Sequence, residues 1–133
     1  MKLKILHESR YKIAAVMSGD DCETLSFFNE IESKNQSSVD GLLGLIERIA
    51  DYGIDTLPTK LSHLVDKEEK IYELIKGNIR LLYFKGNCDV LIVTTHAFIK
   101  KTQKTPENHK NKAIMLKKAY QLALDKKQII FVE

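Results

Sequence analysis

The sequence contains few of the features that mark several common protein classes. Its two cysteines, Cys22 and Cys88, match no metal-ligand spacing, and we expect both thiols to be reduced, because disulfides are rare in the cytosol. No stretch approaches the roughly 20 consecutive apolar residues of a membrane span. Charged residues stand near the start, where a secretory signal needs an apolar run. These absences predict a cytoplasmic protein with no membrane segment.

Familiar catalytic motifs are missing as well. The chain has no glycine loop of the kind that cradles a nucleotide phosphate, no serine–histidine–aspartate order and no paired carboxylates for a metal. These absences argue against nucleotide hydrolysis and metal-dependent nuclease chemistry, and we predict neither a bound metal nor a cofactor.

Charge is distributed unevenly along a chain that is otherwise typical of one compact domain, residues 1–133, with 44% hydrophobic residues. The net charge is +3, yet residues 96–127 contain nine lysines and two acids, a local charge of +7 that leaves −4 for the rest. A concentrated positive field attracts phosphate-rich partners such as nucleic acid. A solvated lysine-rich helix face is the alternative.

The first half of the chain predicts a strand followed by two amphipathic helices. Residues 11–17 have the pattern of a strand, an aspartate-capped helix is expected over about 20–34, and a serine-capped helix over 37–53 with Gly53 as its C-terminal cap. Helices joined by so short a loop should form a hairpin. The second helix has one apolar stripe, formed by Val39, Leu42, Leu43, Ile46, Ile49 and Ala50.

The second half predicts an antiparallel meander and a final helix. Residues 55–70 read as irregular, Pro106 opens the helix, and 128–133 are either a short strand or a frayed tail. The resulting fold is α+β, in the order β-α-α-β-β-β-α. Its antiparallel sheet, mixed at the first strand, carries the helical hairpin on one face and leaves the other free for a ligand. The three strands of the meander are expected at 71–75, 79–84 and 90–96.

The segment from His96 to Pro106 is the most informative stretch. It places Lys100, Lys101 and Lys104 within five residues, directly before a predicted helix N-terminus. Helix N-termini offer free N–H groups to phosphates, and lysines there can stabilise charge that develops on a phosphate. The alternative is that these lysines only contact solvent.

The aromatic residues and the histidine around this segment each permit two interpretations. Phe98 could stack on a base or fill the core. His96 could transfer protons near neutral pH or be a half-buried structural residue. Tyr72 and Tyr83 are either core edges or stacking groups, and the sequence does not decide.

Arg80 stands inside an apolar strand, where an arginine is rarely buried without a partner. It either pairs with an acid such as Glu73 on the neighbouring strand or projects toward a phosphate. Glu73 is correspondingly a structural acid or an acid–base group.

Three motifs in this order resemble the phage-derived toxins of the RelE/HigB superfamily. They are an aromatic-Glu-Leu strand at 72–74, an Arg-bearing strand that ends in Tyr at 79–83, and the run 96–106 with its Phe, paired Lys and final Thr-Pro. The resemblance covers about residues 70–123. It implies a microbial-RNase-like fold, metal-free endoribonuclease activity on mRNA at the ribosome, and a hetero-oligomer with a helix-turn-helix antitoxin.

In cleavage of this kind the 2′-hydroxyl attacks its own phosphate, so cationic groups must stabilise charge while protons leave and arrive. By position in the family pattern, Arg80 would clamp the scissile phosphate. The remaining catalytic assignments are Lys100, Lys101, His96 and Tyr83, and the RNA-binding ones are Lys104, Phe98, Tyr72 and Lys76.

The chain departs from the family pattern at two positions. Ile75 stands where many relatives have arginine, and Lys76 could replace it only on the opposite strand face, since neighbouring side chains alternate. Ala97 replaces the usual glycine. A degenerate toxin that only binds its antitoxin, a non-catalytic nucleic-acid-binding phage regulator and a purely structural partner protein are therefore the competing interpretations.

Overall fold

The computed structural model describes residues 1–87, 90–101 and 104–133. The prediction of a reduced Cys88 and the Thr102–Gln103 part of the basic segment lie outside these residues; Cys22 is a free, buried thiol. Within these residues the α-helices are α1 Glu23–Glu30, α2 Gln36–Tyr52 and α3 Glu107–Asp125. The strands are β1 Lys2–Glu8, β2 Lys12–Ser18, β3 Asp21–Cys22, β4 Ser62–Asp66, β5 Ile71–Lys76, β6 Ile79–Lys85, β7 Leu91–Ile99 and β8 Ile130–Val132.

The strands form one mixed sheet in the order β4-β5-β6-β7-β2-β1-β8, with the short β3 paired to β2. The predicted meander is present as β5, β6 and β7, which pair antiparallel. Strand β2 runs parallel to β7, and β8 runs parallel to β1. The sheet therefore mixes both pairing directions, as the fold class predicts.

Both faces of the sheet are covered, so the prediction of one free face is wrong. Helices α1 and α2 share a core with one face, whereas α3 packs on the other through its buried residues Ala113 and Tyr120. Tyr120 lies against Phe84, with their ring centres 5.2 Å apart. A ligand must therefore bind at an edge or an end of these layers.

The predicted N-terminal caps of α1 and α2 are incorrect, although both helices are present. Helix α1 follows Cys22 with no side-chain cap, because the aspartate expected to cap it belongs to β3, and it ends at Glu30. Helix α2 begins before the expected serines, at Gln36. Its C-terminus agrees with the prediction: Gly53 adopts φ +94°, and its N–H donates to the Ile49 carbonyl at 2.8 Å.

Strands β1, β3 and β4 were not predicted. Strand β1 mixes charged and partly buried positions, so it lacks the clean alternation that indicates a strand. Strand β4 lies within the segment predicted to be irregular, at the edge of the sheet, where pairing on one side suffices. The tail at 128–133 does form a strand, β8, held by β1. No helix in the described part of the chain is long and apolar enough to cross a membrane.

Candidate functional site: a cation-lined pocket around Glu73

The register of the meander places Glu73 and Arg80 on the sheet face that carries α3. Glu73 is opposite Leu82 on β6, and Arg80 is opposite Phe98 on β7. Since side chains alternate along a strand, the even-numbered positions of β6 share this face with the odd-numbered positions of β5. Two neighbouring strands thus bring a carboxylate and a guanidinium together.

A β-bulge in β7 completes this arrangement. Leu82 is opposite His96 while Tyr83 is opposite Thr94, so Thr95 is an extra residue without a partner position. Thr94 faces α1, where its hydroxyl lies 3.2 Å from that of Thr24. Without the bulge, His96 and Thr94 would point to the same face. The bulge therefore turns the even-numbered side chains that follow it to the α3 face: His96 and Phe98 in β7, and Lys100 directly after it.

Glu73 is the centre of the site and is completely buried. Its Oε2 accepts a hydrogen bond from the Thr105 hydroxyl at 3.0 Å. Its Oε1 lies 2.9 Å from His63 Nε2, 3.9 Å from Arg80 Nε and 3.9 Å from Lys100 Nζ. A buried carboxylate needs such compensation, because removing a charge from water is costly.

The cations around Glu73 are close without being tightly bonded. Among the described residues, Glu73 Oε1 and Arg80 Nε are buried polar atoms with no aligned hydrogen-bond partner. Arg80 uses Nη1 instead, donating to the Gly77 carbonyl at 2.9 Å and to that of Ile79 at 3.1 Å. Unsatisfied buried groups are rare in native proteins, and a catalytic role is one of the explanations for them.

His63 is the functional candidate that sequence reasoning missed. It lies on the edge strand β4, directly opposite Glu73, and its side chain is 41% exposed. Its Nδ1 lies 3.0 Å from the Thr59 carbonyl, which can only accept, so Nδ1 carries a proton. Its Nε2 lies 2.9 Å from Glu73 Oε1. His63 and Glu73 therefore lie in direct contact, which only the pairing of β4 with β5 reveals.

Glu73, His63, Lys100 and Thr105 line a pocket of about 350 Å³ at the edge of the sheet and the N-terminus of α3, whereas Arg80 faces Glu73 without lining the pocket. Cationic groups dominate its wall, and Glu73 and the 75% exposed Glu107 are its acids. Such a pocket suits an anionic group of phosphate size. Its lining residues are His63, Leu64, Val65, Glu73, Lys100, Lys104, Thr105, Glu107 and Lys110.

The predicted lysines occupy different positions relative to this pocket. Lys100 is largely buried, with a 12% exposed side chain that faces Glu73. Lys104 lines the pocket, whereas Lys101 is exposed and is not one of the lining residues. Lys76 lies on the other sheet face, against Gly41 of α2, as the alternation of side chains requires. The structure thus brings Arg80, Lys100 and Lys104 together and leaves Lys76 apart.

His96 and Phe98 are buried beneath the N-terminal turns of α3. The Phe98 ring stacks on His109, with centres 3.9 Å apart, and it is buried. These contacts favour a role in the core over stacking on an RNA base. His96 Nδ1 lies 3.1 Å from the Thr95 hydroxyl, and its Nε2 lies 3.0 Å from His109 Nδ1. Burial lowers the pKa of His96 to about 4, which keeps it neutral at physiological pH. These contacts argue against direct proton transfer by His96, and the role stays a prediction from the sequence.

Tyr72 and Tyr83 lie on the opposite sheet face from Glu73. Their rings stack at 5.2 Å, and the Tyr83 hydroxyl lies 2.7 Å from that of Ser62. Burial raises the pKa of Tyr83, so it stays protonated near neutral pH. Tyr72 and Tyr83 line a separate cavity of about 170 Å³ together with Lys85, whose ammonium lies 5.4 Å from the Tyr72 ring centre. The structure does not bring either tyrosine to the cationic pocket.

No group of three or more histidine, cysteine or acidic side chains with metal-binding geometry occurs within residues 1–87, 90–101 and 104–133. The site consists instead of organic cations around one carboxylate.

Comparisons with known proteins relate the chain to a phage-derived family. The family model described as "Phage derived protein Gp49-like" matches residues 27–118, which include all the strands of the meander and most of α3. Among solved structures, the toxin–antitoxin complex RelBE2 from Mycobacterium tuberculosis gives a TM-score of 0.42 at 12% identity, covering 68% of this chain and 98% of the other. No curated protein matches the chain significantly.

Proposed function

The chain belongs to the family of phage-derived Gp49-like proteins, and on this basis we propose that it is the toxin of a type II toxin–antitoxin system and a metal-free endoribonuclease. The resemblance of residues 70–123 to RelE/HigB toxins, which implies a RelE-like fold, supports this proposal from the sequence. The observation that carries it is the cationic pocket, whose wall includes Lys100 and Glu73, together with Arg80, which faces the same buried carboxylate from the neighbouring strand.

The proposed reaction is attack of an RNA 2′-hydroxyl on the adjacent phosphate. The new bond joins the 2′-oxygen to phosphorus, and the bond from phosphorus to the 5′-oxygen of the next nucleotide breaks. The products are a 2′,3′-cyclic phosphate and a free 5′-hydroxyl. The 2′-hydroxyl loses a proton and the leaving 5′-oxygen gains one, so the atoms and charges balance.

Arg80 and Lys100 are the groups we assign to the phosphate oxygens. Their charges stabilise the additional negative charge of the transition state, which is the largest single contribution in reactions of this type. Lys104 and the exposed Lys101 lie where the flanking RNA backbone would pass. This assignment keeps four of the predicted cationic residues, Arg80, Lys100, Lys101 and Lys104. It leaves out Lys76 on the other sheet face and the buried Tyr83 and His96.

His63 is the group we assign to proton transfer. It is partly exposed, it lines the pocket, and its Nε2 lies 2.9 Å from Glu73 Oε1. Geometry is the first requirement for an acid–base group, and His63 meets it better than either residue chosen from the sequence alone.

An antitoxin partner, mRNA on the ribosome and a cytoplasmic location belong to the same proposal. The antitoxin is expected to cover the cationic pocket with acidic or apolar groups, because exposed cations of this kind would otherwise bind RNA without control.

A degenerate toxin is the second candidate, and Ile75 is the observation that favours it. Ile75 is directly opposite Arg80, on the same sheet face, so the arginine of many relatives would add a second guanidinium there. Without it, the chain could bind its antitoxin and cleave RNA weakly.

The deciding experiment is induction of the chain in a bacterial host with and without the neighbouring gene, with mRNA 5′ ends mapped by sequencing. We expect growth arrest and cuts inside translated regions, and no arrest when Lys100 is replaced by Gln. Lys126→Gln is the matched control, since Lys126 is an exposed lysine at the far end of α3. Normal growth with abundant folded wild-type protein would favour the degenerate toxin instead.

A further inference from the structure

Glu73 has neither the surroundings of a simple structural ion pair nor those of a group in contact with substrate. A structural arginine–carboxylate pair normally makes two short, parallel hydrogen bonds. Here Arg80 Nε and Lys100 Nζ both stop at 3.9 Å from Oε1, beyond hydrogen-bond distance. Both cations are close enough to be attracted to the carboxylate, but neither Arg80 Nε nor Lys100 Nζ donates a hydrogen bond to it.

The carboxylate itself is firmly held. It has no exposed surface, and Thr105, at the start of the α3 segment, donates a hydrogen bond to its second oxygen at 3.0 Å. Glu73 thus connects β4, β5, β6, the end of β7 and the approach to α3 at one point.

We infer that Glu73 is a positioning residue that orients Arg80 and Lys100 for the phosphate in the transition state while it weakens binding of the RNA ground state. This inference rests on the proposed ribonuclease function and adds a role to it. The negative charge keeps two mutually repelling cations close together, while Arg80 Nε and Lys100 Nζ make no hydrogen bond to the carboxylate and so stay available for phosphate oxygens. The same negative charge repels the phosphate of the incoming RNA, so the affinity for RNA is lower while the rate of the chemical step is higher.

This arrangement makes an unusual prediction for Glu73→Gln. The amide keeps the shape and can still accept from Thr105, but the negative charge is lost. Arg80 and Lys100 should move apart, and a misplacement of about 1 Å can lower a catalytic rate by roughly 100-fold. The pocket becomes more positive by one charge, so RNA should bind as tightly as before or several-fold more tightly. We expect kcat to fall about 10- to 100-fold and KM to fall or stay constant.

Glu32→Gln is the matched control. Glu32 is an exposed acid between α1 and α2 that pairs with Lys34 at 3.3 Å and does not line the pocket. This variant also removes one negative charge from the chain, so kcat and KM should both stay at their wild-type values. A comparison of the two variants separates the loss of one negative charge in general from the placement of the pocket cations.

Thr105→Val tests the inference without changing any charge. The variant removes the hydrogen bond that holds Oε2, so kcat should fall several-fold with KM unchanged. It also decides the question if Glu73→Gln does not fold.

The measurements are initial cleavage rates on programmed ribosomes and on free RNA, binding of a DNA oligonucleotide of the same sequence, which has no 2′-hydroxyl to react, and thermal unfolding of each variant. A lower kcat with unchanged or tighter DNA binding supports the inference. Wild-type kcat in a folded Glu73→Gln or Thr105→Val variant overturns it, as does a loss of activity and DNA binding in proportion to the folded fraction. Absence of cleavage by the wild type overturns the proposed function itself, and the inference with it.

Discussion

Replacement of Arg80 separates two roles that the structure gives to one side chain. Arg80 is 16% exposed, donates to two backbone carbonyls through Nη1 and faces Glu73 across 3.9 Å. At an effective dielectric constant of about 20, a charge pair at this separation attracts by about 4 kcal/mol, much of which is offset by the cost of burying both charges. His63 and Lys100 remain beside Glu73 when Arg80 is removed.

Arg80→Ala should therefore destabilise the fold by about 1–3 kcal/mol, less than the 3–5 kcal/mol typical when a buried pair loses its sole partner. For a chain of this size the melting temperature should fall by about 4–10 °C. Arg80→Lys keeps the charge but cannot bind two phosphate oxygens at once, so it should melt within about 1 kcal/mol of the wild type and lose about 100-fold in cleavage.

The assay is thermal unfolding and RNA cleavage on the same preparations of both variants. Arg10→Lys, at an exposed arginine in the turn after β1, is the control for arginine-to-lysine replacement in general. A wild-type cleavage rate in Arg80→Lys would show that Arg80 does not bind two phosphate oxygens in the transition state. A large fall in melting temperature for Arg80→Ala, with normal activity in the folded fraction, would leave Arg80 as a structural partner of Glu73 only.

Three further predictions concern binding, the partner and pH. Lys101→Gln should lower the slope of log affinity for RNA against log salt by about 0.7, because one phosphate contact is lost; an unchanged slope in a filter-binding titration would mean that Lys101 contacts only solvent. In the complex with its antitoxin, Lys100, Lys101 and Lys104 should resist acylation measured by mass spectrometry, whereas full labelling would locate the antitoxin elsewhere. The depressed pKa of His96, about 4 in the folded chain, stabilises the fold above the ordinary histidine value near 6.5, and this stability is lost as the pH falls toward 4. Chemical denaturation should show a loss of about 2–3 kcal/mol between pH 7 and pH 4 that is reduced in His96→Gln, and an equal loss in both proteins would exclude His96 as its source.

Local sequence patterns were sufficient for the elements whose burial is regular. The apolar stripe of α2 and the Gly53 cap appear in the structure, because a helix that buries one face must repeat apolar residues every three to four positions. One member of the predicted stripe, Leu43, is 42% exposed and lies at its margin. The meander was equally visible, since its strands are almost continuously apolar and are separated by short glycine- and asparagine-bearing turns.

The basic character of the site was also determined by the sequence alone. Lysines clustered before a helix N-terminus and an arginine inside an apolar strand are unusual enough to indicate an anionic ligand without any knowledge of the fold. The pairing of Arg80 with Glu73 could be stated as one of two alternatives, because both residues lie on neighbouring strands.

Only the tertiary structure decided which of these residues meet. The bulge at Thr95 shifts the register of β7 by one position, so the Lys100 side chain lies on the same sheet face as Glu73. No local sequence pattern predicts an inserted residue of this kind. His63 reaches Glu73 because β4 pairs with β5 at the sheet edge, a contact set by hydrogen bonding between strands. His96, in contrast, is buried because α3 returns across the strand end. Composition and periodicity are local properties, so the sequence alone determines them. Strand register and layer packing depend on contacts between distant segments, so only the tertiary structure determines them.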